Sequence, residues 1–379
     1  MSAAFTGPSR GLGIELYRGC MACIRSVNEA GGIHGRKIVV KVADDGYNPV
    51  PAIQNTIDFI QRDGVFMLMG YVGTPTVTRI LPLLTRYSDQ SVFLFFPFTG
   101  AQPQREPPYE RYVFNLRASY RQETRGLVDH FVKIGRKSIG VFYQVDAFGR
   151  SGWDGVKRAL ACHNTDIVGE ATYHRGAAFD ESFLPQVGSL RATGADAIIC
   201  VGAYAACAGF IRDARDAGWD VPIANVSFVG SENLLGLLLE AGKTRARSLT
   251  TNLVNTQVVP SYEDTSLPAI REYRRLMDES NPEPPAHLVE KGYQPVRYSF
   301  VSLEGFLNAR VLIEILRRMG PRPTRENIRG VVEQIRQLDL GVNAPISFGP
   351  DRHQGCDAVY YTTVKDGRFV PFDWREWAR

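Results

Sequence analysis

One pattern occurs twice in this chain, about 130 residues apart, and each time an apolar strand ends on a glycine closely followed by a tyrosine. In the first copy a strand over residues 39–42 leads through Asp44-Asp45-Gly46 into a helix over 52–61. A second strand, 65–69, then stops at Gly70-Tyr71. In the second copy a strand over 167–171 leads through His174-Arg175-Gly176 into a helix over 183–191, and a strand over 197–201 stops at Gly202-Ala203-Tyr204. Short apolar strands alternating with amphipathic helices imply right-handed crossovers and parallel sheets, whose ligands bind beyond the carboxyl ends of strands. Two copies predict two similar α/β lobes, each Rossmann-like with a parallel sheet, that offer equivalent edges to a shared ligand cleft.

Length agrees, because 379 residues exceed what one ordinary core accommodates. The formal net charge is only +4, from 44 basic and 40 acidic side chains spread along the chain, which argues against nucleic acid or an anionic membrane surface as a partner. No run approaches the roughly 20 apolar residues of a membrane-spanning helix. Cys20 and Cys23 have Cys-x-x-Cys spacing but fall on a helical stripe with Leu16, Ile24 and Val27, so buried thiols are expected. No His/Cys spacing suits zinc, and neither a metal nor another cofactor is expected.

The glycine-rich opening, residues 4–13, feeds a helix over 14–29. It lacks the Lys-Ser/Thr pair of a phosphate loop and the dinucleotide glycine spacing. Thr74 reads as the N-cap of a helix with Pro75 at its first position, and free amides there suit a carboxylate. The strand over 92–96 ends on Pro97-Phe98-Thr99-Gly100, which brings apolar surface and hydrogen-bonding groups to one place. In the second half Asp146 to Gly152 opens a helix, and a strand over 223–226 reaches Ser227. The chain is read as crossing between lobes three times. That gives lobe 1 as 1–118 with 248–342, lobe 2 as 119–247 with 343–379, and a three-segment hinge.

Beyond these patterns the chain resembles the type I periplasmic solute-binding proteins of ABC importers, in the branched-chain amino acid and amide binding group. The resemblance is carried by Thr6-Gly7-Pro8, by Val27 through Arg36 (Val-Asn-Glu-Ala-Gly-Gly-Ile-His-Gly-Arg), by Asp44-Asp45, and by Leu116-Arg117. Further on it is carried by Phe148-Gly149, by Phe210 through Gly218, and by Ile346-Ser347-Phe348. It implies that Thr74 holds the ligand carboxylate with help from Phe98, Thr99 and Gly100, and that Leu12 lies near the ligand side chain. It implies too that Phe148, Ala203, Tyr204 and Ser227 close over the ligand from the second lobe. Tyr71 joins this list as an aromatic at a strand end, with core packing as the competing reading for it and for Tyr204.

Departures from the family pattern shape the expectation. Amino-acid binders of the group carry an acid near Ser227 for the ligand's ammonium. Here either Glu232 or Asp146 substitutes, or the ligand has no amine. A cysteine pair of some relatives is replaced by Tyr47 and Gly73, and the resemblance implies a full strand, hence further residues, ahead of Met1. No signal peptide is visible at the start. The resemblance implies a periplasmic or otherwise extracytoplasmic receptor, not an enzyme, that takes an amino acid, amide or aromatic acid and presents it to an ABC permease. A ligand-sensing domain of a receptor or regulator is the alternative. An enzyme is the third reading, for which the chain offers no Gly-x-Ser-x-Gly elbow, histidine-rich metal motif or nucleotide loop.

Overall fold

A computed structural model of the chain describes residues 1–245 and 247–377. The chain forms two compact units, Met1–Ala118 with Tyr262–Ala358, and Ser119–Ser261 with Val359–Arg379. Residues 246, 378 and 379, which the sequence reading assigned to lobe 2, lie outside the described residues.

The first unit begins with β1 (Ser2–Ala3), α1 (Arg10–Glu29), β2 (Ala43–Asp44), α2 (Pro49–Gln61), β3 (Leu68–Met69), α3 (Thr74–Arg86), β4 (Leu94–Phe95) and β5 (Val113–Phe114). β1 pairs in parallel with β2, and β3, β4 and β5 form a parallel ladder in that order. The Val72 amide donates to Ser2 O at 3.3 Å and links the two ladders. Residues 39–42, expected as a strand, are not one; the strand begins just after them, at Ala43–Asp44, because the ladder with β1 pairs only those two residues. The Asn28 segment is a structural clasp: its amide side chain bonds both the N–H and the C=O of Ile38 at 2.8 Å. Gly32 is demanded there, since a Cβ would lie 2.2 Å from Arg36 O.

The second unit runs through α4 (Tyr120–Lys133), β6 (Ile139–Gln144), α5 (Ala147–Ala161), β7 (Gly169–Tyr173), α6 (Leu184–Ala192), β8 (Ala197–Val201), α7 (Tyr204–Asp216), β9 (Ile223–Asn225), α8 (Ser231–Gly242) and β10 (Leu253–Gln257). The chain then returns to the first unit for α9 (Pro268–Ser280), α10 (Phe300–Met319) and α11 (Arg325–Val332). It ends in the second with β11 (Tyr360–Lys365) and β12 (Arg368–Pro371). The second unit's sheet has the order β12-β11-β10-β9-β8-β6-β7, parallel from β10 to β7 and antiparallel at β11 and β12. β8 is an unbroken apolar run with no exposed residue, the signature of a strand covered on both faces.

The second and third passages between units fall after Ser261 and Ala358, later than the expected 247/248 and 342/343. Residues 253–257 belong to the second unit because β10 lies between β9 and β11. Residues 343–358 stay with the first because Ile346 pairs with Leu338, the Asn115 amide donates to His353 O, and the Gly355 amide donates to Asn115 O. Cys20 and Cys23 are buried free thiols on α1, as their spacing predicts, and burial pushes the Cys23 thiol up to about 12. Among the described residues no helix is long and apolar enough to cross a membrane.

Candidate functional site

In the first unit the Thr6-Gly7 loop is clamped by one carboxylate. Asp44 Oδ1 accepts from the amides of Phe5 (2.7 Å), Thr6 (3.2 Å) and Gly46 (3.0 Å), and Oδ2 accepts from Thr6 Oγ1 at 2.6 Å. α1 starts at Arg10, four residues ahead of the expected position, so Leu12 is helical and fully buried instead of lying in a loop. Gly13 marks close helix packing: a Cβ there would meet Ala4 O at 2.1 Å. Gly13, which looked like a loop residue, lets α1 lie against Ala4 beside β1.

At the start of α3 the N-cap is Gly73, at φ 103°, and Thr74 is the first helical residue. Tyr47 and Gly73, where the resemblance implies a cysteine pair in some relatives, are neighbours; a Cβ on Gly73 would lie 2.1 Å from the Tyr47 ring. Thr74 Oγ1 and Thr99 Oγ1 share a hydrogen bond of 2.7 Å, and both residues are fully buried. Thr99 Oγ1 also accepts from the Ala101 amide at 3.2 Å, while Thr99 O accepts from Gln104 Nε2 and Arg105 Nη2 at 3.3 Å each. Phe98 is buried under the Arg117 guanidinium, 4.7 Å from the ring centroid, and Arg117 pairs with Glu304 at 3.5 Å. Gly100 is buried beside them. Thr74, Phe98, Thr99 and Gly100 are thus assembled where β4 and the first turn of α3 meet. Tyr71 is not part of this group. It packs in the core with Phe59, Leu68, Val77 and Leu94, and its hydroxyl meets Thr56 Oγ1 at 3.0 Å.

In the second unit Asp146 caps α5, accepting from the Phe148 amide at 2.9 Å. Phe148 is fully buried and packs on Tyr120 (5.2 Å between centroids) and Phe228 (4.6 Å). Gly149 follows because a Cβ there would sit 1.9 Å from Gln144 O. The Ala203 amide, at the N-cap of α7, donates to Tyr173 Oη at 2.9 Å, and Tyr204 opens the helix with 8% of its surface exposed.

A third acid, besides Asp146 and Glu232, lies against Ser227. Asp146 is engaged by the Phe148 amide and by Gln144 Nε2 at 2.6 Å, with Arg175 at 3.8 Å, and burial pushes its carboxyl up despite these bonds. Glu232 sits in the first turn of α8. The carboxylate beside Ser227 is Glu123 of α4, fully buried, which accepts from the Ser227 amide at 2.7 Å, from Ser227 Oγ at 3.0 Å and from Thr256 Oγ1. A signal for it was present in the sequence. Glu123 falls three residues after Tyr120 and four before Leu127, on the apolar stripe that Val128 and Phe131 continue, and the Ser119/Gln122 capping box fixes that register.

A family model for periplasmic binding proteins matches residues 1–368. Leu/Ile/Val-binding protein homolog 3 of Brucella melitensis is 26% identical over 277 residues, covering 70% of this chain and 72% of that protein. The crystal structure of a possible leucine/isoleucine/valine-binding protein from Rhodopirellula baltica covers 100% of this chain and 96% of its own, at 30% identity and a TM-score of 0.87. A substrate-binding periplasmic protein from Ralstonia solanacearum superposes with a TM-score of 0.85 at 27% identity, covering 98% of each chain. Sequence match and fold agree over nearly the whole chain, which belongs to the periplasmic binding protein family in its type I form.

Proposed function

We propose that this chain is the extracytoplasmic solute-binding component of an ABC importer, taking a small amphipathic carboxylate or amide and presenting it to a membrane permease without chemical change. The observation that carries the reading is the buried Thr74–Thr99 hydroxyl pair at the start of α3, where helix amides and two hydroxyls converge as they do in carboxylate sites. The Phe148, Tyr120 and Phe228 cluster supports an apolar portion in the solute. Relatives named for leucine, isoleucine and valine make aliphatic amino acids the first candidates, with aromatic acids and amides next. Tyr71 is left out of the proposed contacts because its ring packs in the apolar core and its hydroxyl meets Thr56, while Leu12 stays a proposed contact.

A thermal-shift screen against amino acids, amides, short carboxylic acids and aromatic acids tests this reading. A solute at about 100 times its Kd adds about 2.7 kcal/mol of stability when it binds only the folded state. No shift across all four classes would refute it. Turnover of any of these compounds would instead make the chain an enzyme.

Two substitutions probe the contacts. Full burial of Thr74 rules out a bulky replacement as a clean test, so Thr74→Val, which keeps the shape and removes the hydroxyl, is the informative change. It should weaken binding by about 1 kcal/mol with the thermal transition retained, and unchanged affinity by calorimetry would remove Thr74 from the site. Phe148→Ala should weaken binding by about 1 to 3 kcal/mol through lost apolar contact. Titration of both proteins with the best hit of the screen decides the matter, and equal Kd values would exclude this ring.

A further inference from the structure

β8 sends alternate side chains to opposite faces of its sheet. Ile198 points toward α6: a Cβ on Gly140 would meet Ile198 Cδ1 at 2.9 Å and Leu190 Cδ2 at 3.0 Å. Val201 points the other way, onto α5, where a Cβ on Gly152 would meet its two methyl groups at 2.4 and 2.6 Å. Cys200 therefore shares the face of Ile198, and Gly202 continues that face past the end of the strand. A Cβ on Gly202 would lie 2.6 Å from Cys207 Sγ, so α7 sets the Cys207 thiol over this end of β8. The Cys207 amide donates to Ala203 O at 3.1 Å, which closes the first turn of α7 and fixes the place of that thiol. The Cys200 and Cys207 thiols hydrogen-bond each other, and neither residue is exposed.

From this geometry we propose that Cys200 and Cys207 are joined as a disulfide when the chain folds in an oxidising compartment, which locks the first turn of α7 to β8. The compartment rests on the proposed extracytoplasmic function, since disulfides persist there and thiols persist in a reducing interior. The oxidant is a small disulfide of the glutathione kind. One cysteine gives up its proton, and its thiolate attacks the glutathione S–S bond, forming a mixed disulfide and releasing one glutathione thiolate. The second cysteine thiolate then attacks the protein sulfur of that mixed disulfide; the Cys200–Cys207 bond forms and the second glutathione thiolate leaves. Two cysteine thiols are oxidised, and one glutathione disulfide is reduced to two thiols. In the folded chain burial, and then the bond to Cys207, push the Cys200 thiol well above the ordinary thiol range, so the exchange belongs to the folding chain, before the two sulfurs are enclosed. The cross-link lies within one turn of Ala203 and Tyr204, the residues that open α7.

Refolding the reduced chain in a buffer of oxidised and reduced glutathione tests the proposal, with the remaining thiols alkylated in denaturant and the peptides mapped by mass. The expected product carries one disulfide, Cys200–Cys207, with Cys20, Cys23, Cys162 and Cys356 alkylated. The oxidised protein should melt several degrees above the same protein reduced. Cys200→Ala and Cys207→Ala should each abolish that difference, and the wild-type map decides alone if a variant fails to fold. Where refolding yields are low, oxidation of the folded chain in urea below its transition, mapped in the same way, gives the same decision. Six alkylated cysteines, or a bond from Cys200 or Cys207 to any other cysteine, would overturn the proposal. Equal melting of the two redox forms would overturn the lock. None of these readings involves a solute, so their failure leaves solute binding standing, whereas a solute screen without a hit overturns the proposed function and not a disulfide mapped in glutathione buffer.

Discussion

Gly305→Val is expected to abolish cooperative folding of the first unit. α1 and α10 cross through a reciprocal pair of glycines. A Cβ on Gly305 would lie 2.2 Å from Leu16 O and 3.2 Å from the Cys20 nitrogen, and a Cβ on Gly19 would lie 1.7 Å from Ser302 O. The obstructing atoms are backbone on both sides, so no rotamer change relieves the overlap and the helices have to separate. Cys20 Sγ donates to Gly305 O at 3.1 Å at the same crossing, and the separation would break that bond too. Inserting volume into a packed core commonly costs about 1 to 3 kcal/mol. An overlap with a helix backbone belongs in the exceptional range above about 4 kcal/mol. Thermal unfolding followed by circular dichroism measures it. Gly330→Ala in α11 is the control, since nothing lies within 4 Å of its added Cβ and the helix should gain up to about 1 kcal/mol. A Gly305→Val protein that melts with wild-type cooperativity at the wild-type temperature would show that the crossing yields, contrary to this account.

The same glycines show what the sequence made legible and what it did not. Strands and helices announced themselves by their periods, and β8 lies at the residues its apolar run marks, Ala197–Val201. A glycine, in contrast, reads alike whether it bends a loop or admits a neighbouring backbone. Gly13 does the second, and α1 therefore begins four residues before the position that a glycine-rich loop suggested. The passages between units depend on pairing between distant segments: β10 with β9, and Asn115 with residues 353 and 355. Local pattern carries no record of such partners. At the candidate site, the strand end at Phe98-Thr99 and the helix start at Thr74 were legible as turn chemistry. Tyr71 and Tyr204 were ambiguous because an aromatic after a strand serves core or ligand equally well, and packing against Phe59, Leu68, Val77 and Leu94 with the Thr56 bond assigns Tyr71 to the core. Glu123 was missed because a charged residue near a helix start reads as solvated surface unless its place on the apolar stripe is given weight.

Removing Arg18 should destabilise the first unit by about 3 to 5 kcal/mol, and by more at pH 8 than at pH 5. Its guanidinium, 2% exposed, donates to Glu15 Oε2 (2.7 Å), Pro282 O (3.1 Å), Val296 O (2.6 Å) and Asn281 Oδ1 (2.8 Å). Glu15 is fully buried and accepts from Tyr293 Oη at 2.9 Å and the Val296 amide at 3.1 Å. The pair thereby ties the irregular segment 281–298 to α1. An intact buried ion pair adds little net stability, but breaking one by removing a partner strands the other charge, and that step carries the quoted cost. Burial already pushes the Glu15 carboxyl above the ordinary carboxylate range, against the downward pull of the Arg18 charge and of the bonds from Arg18, Tyr293 and Val296. A carboxyl whose folded pKa is raised contributes stability that is complete below its unfolded pKa and is lost as pH rises through the folded value. Arg18→Met removes the main downward pull, raises the folded pKa further and widens that window of loss, hence the larger deficit at the higher pH. Urea unfolding at pH 5 and pH 8 gives both numbers. The double variant Glu15→Gln, Arg18→Met should recover much of the loss, because the stranded charge is gone and Gln still accepts from Tyr293 or the Val296 amide. A deficit that is the same at both pH values and persists in the double variant would place the cost in the lost contacts to segment 281–298 and not in the Glu15 carboxylate.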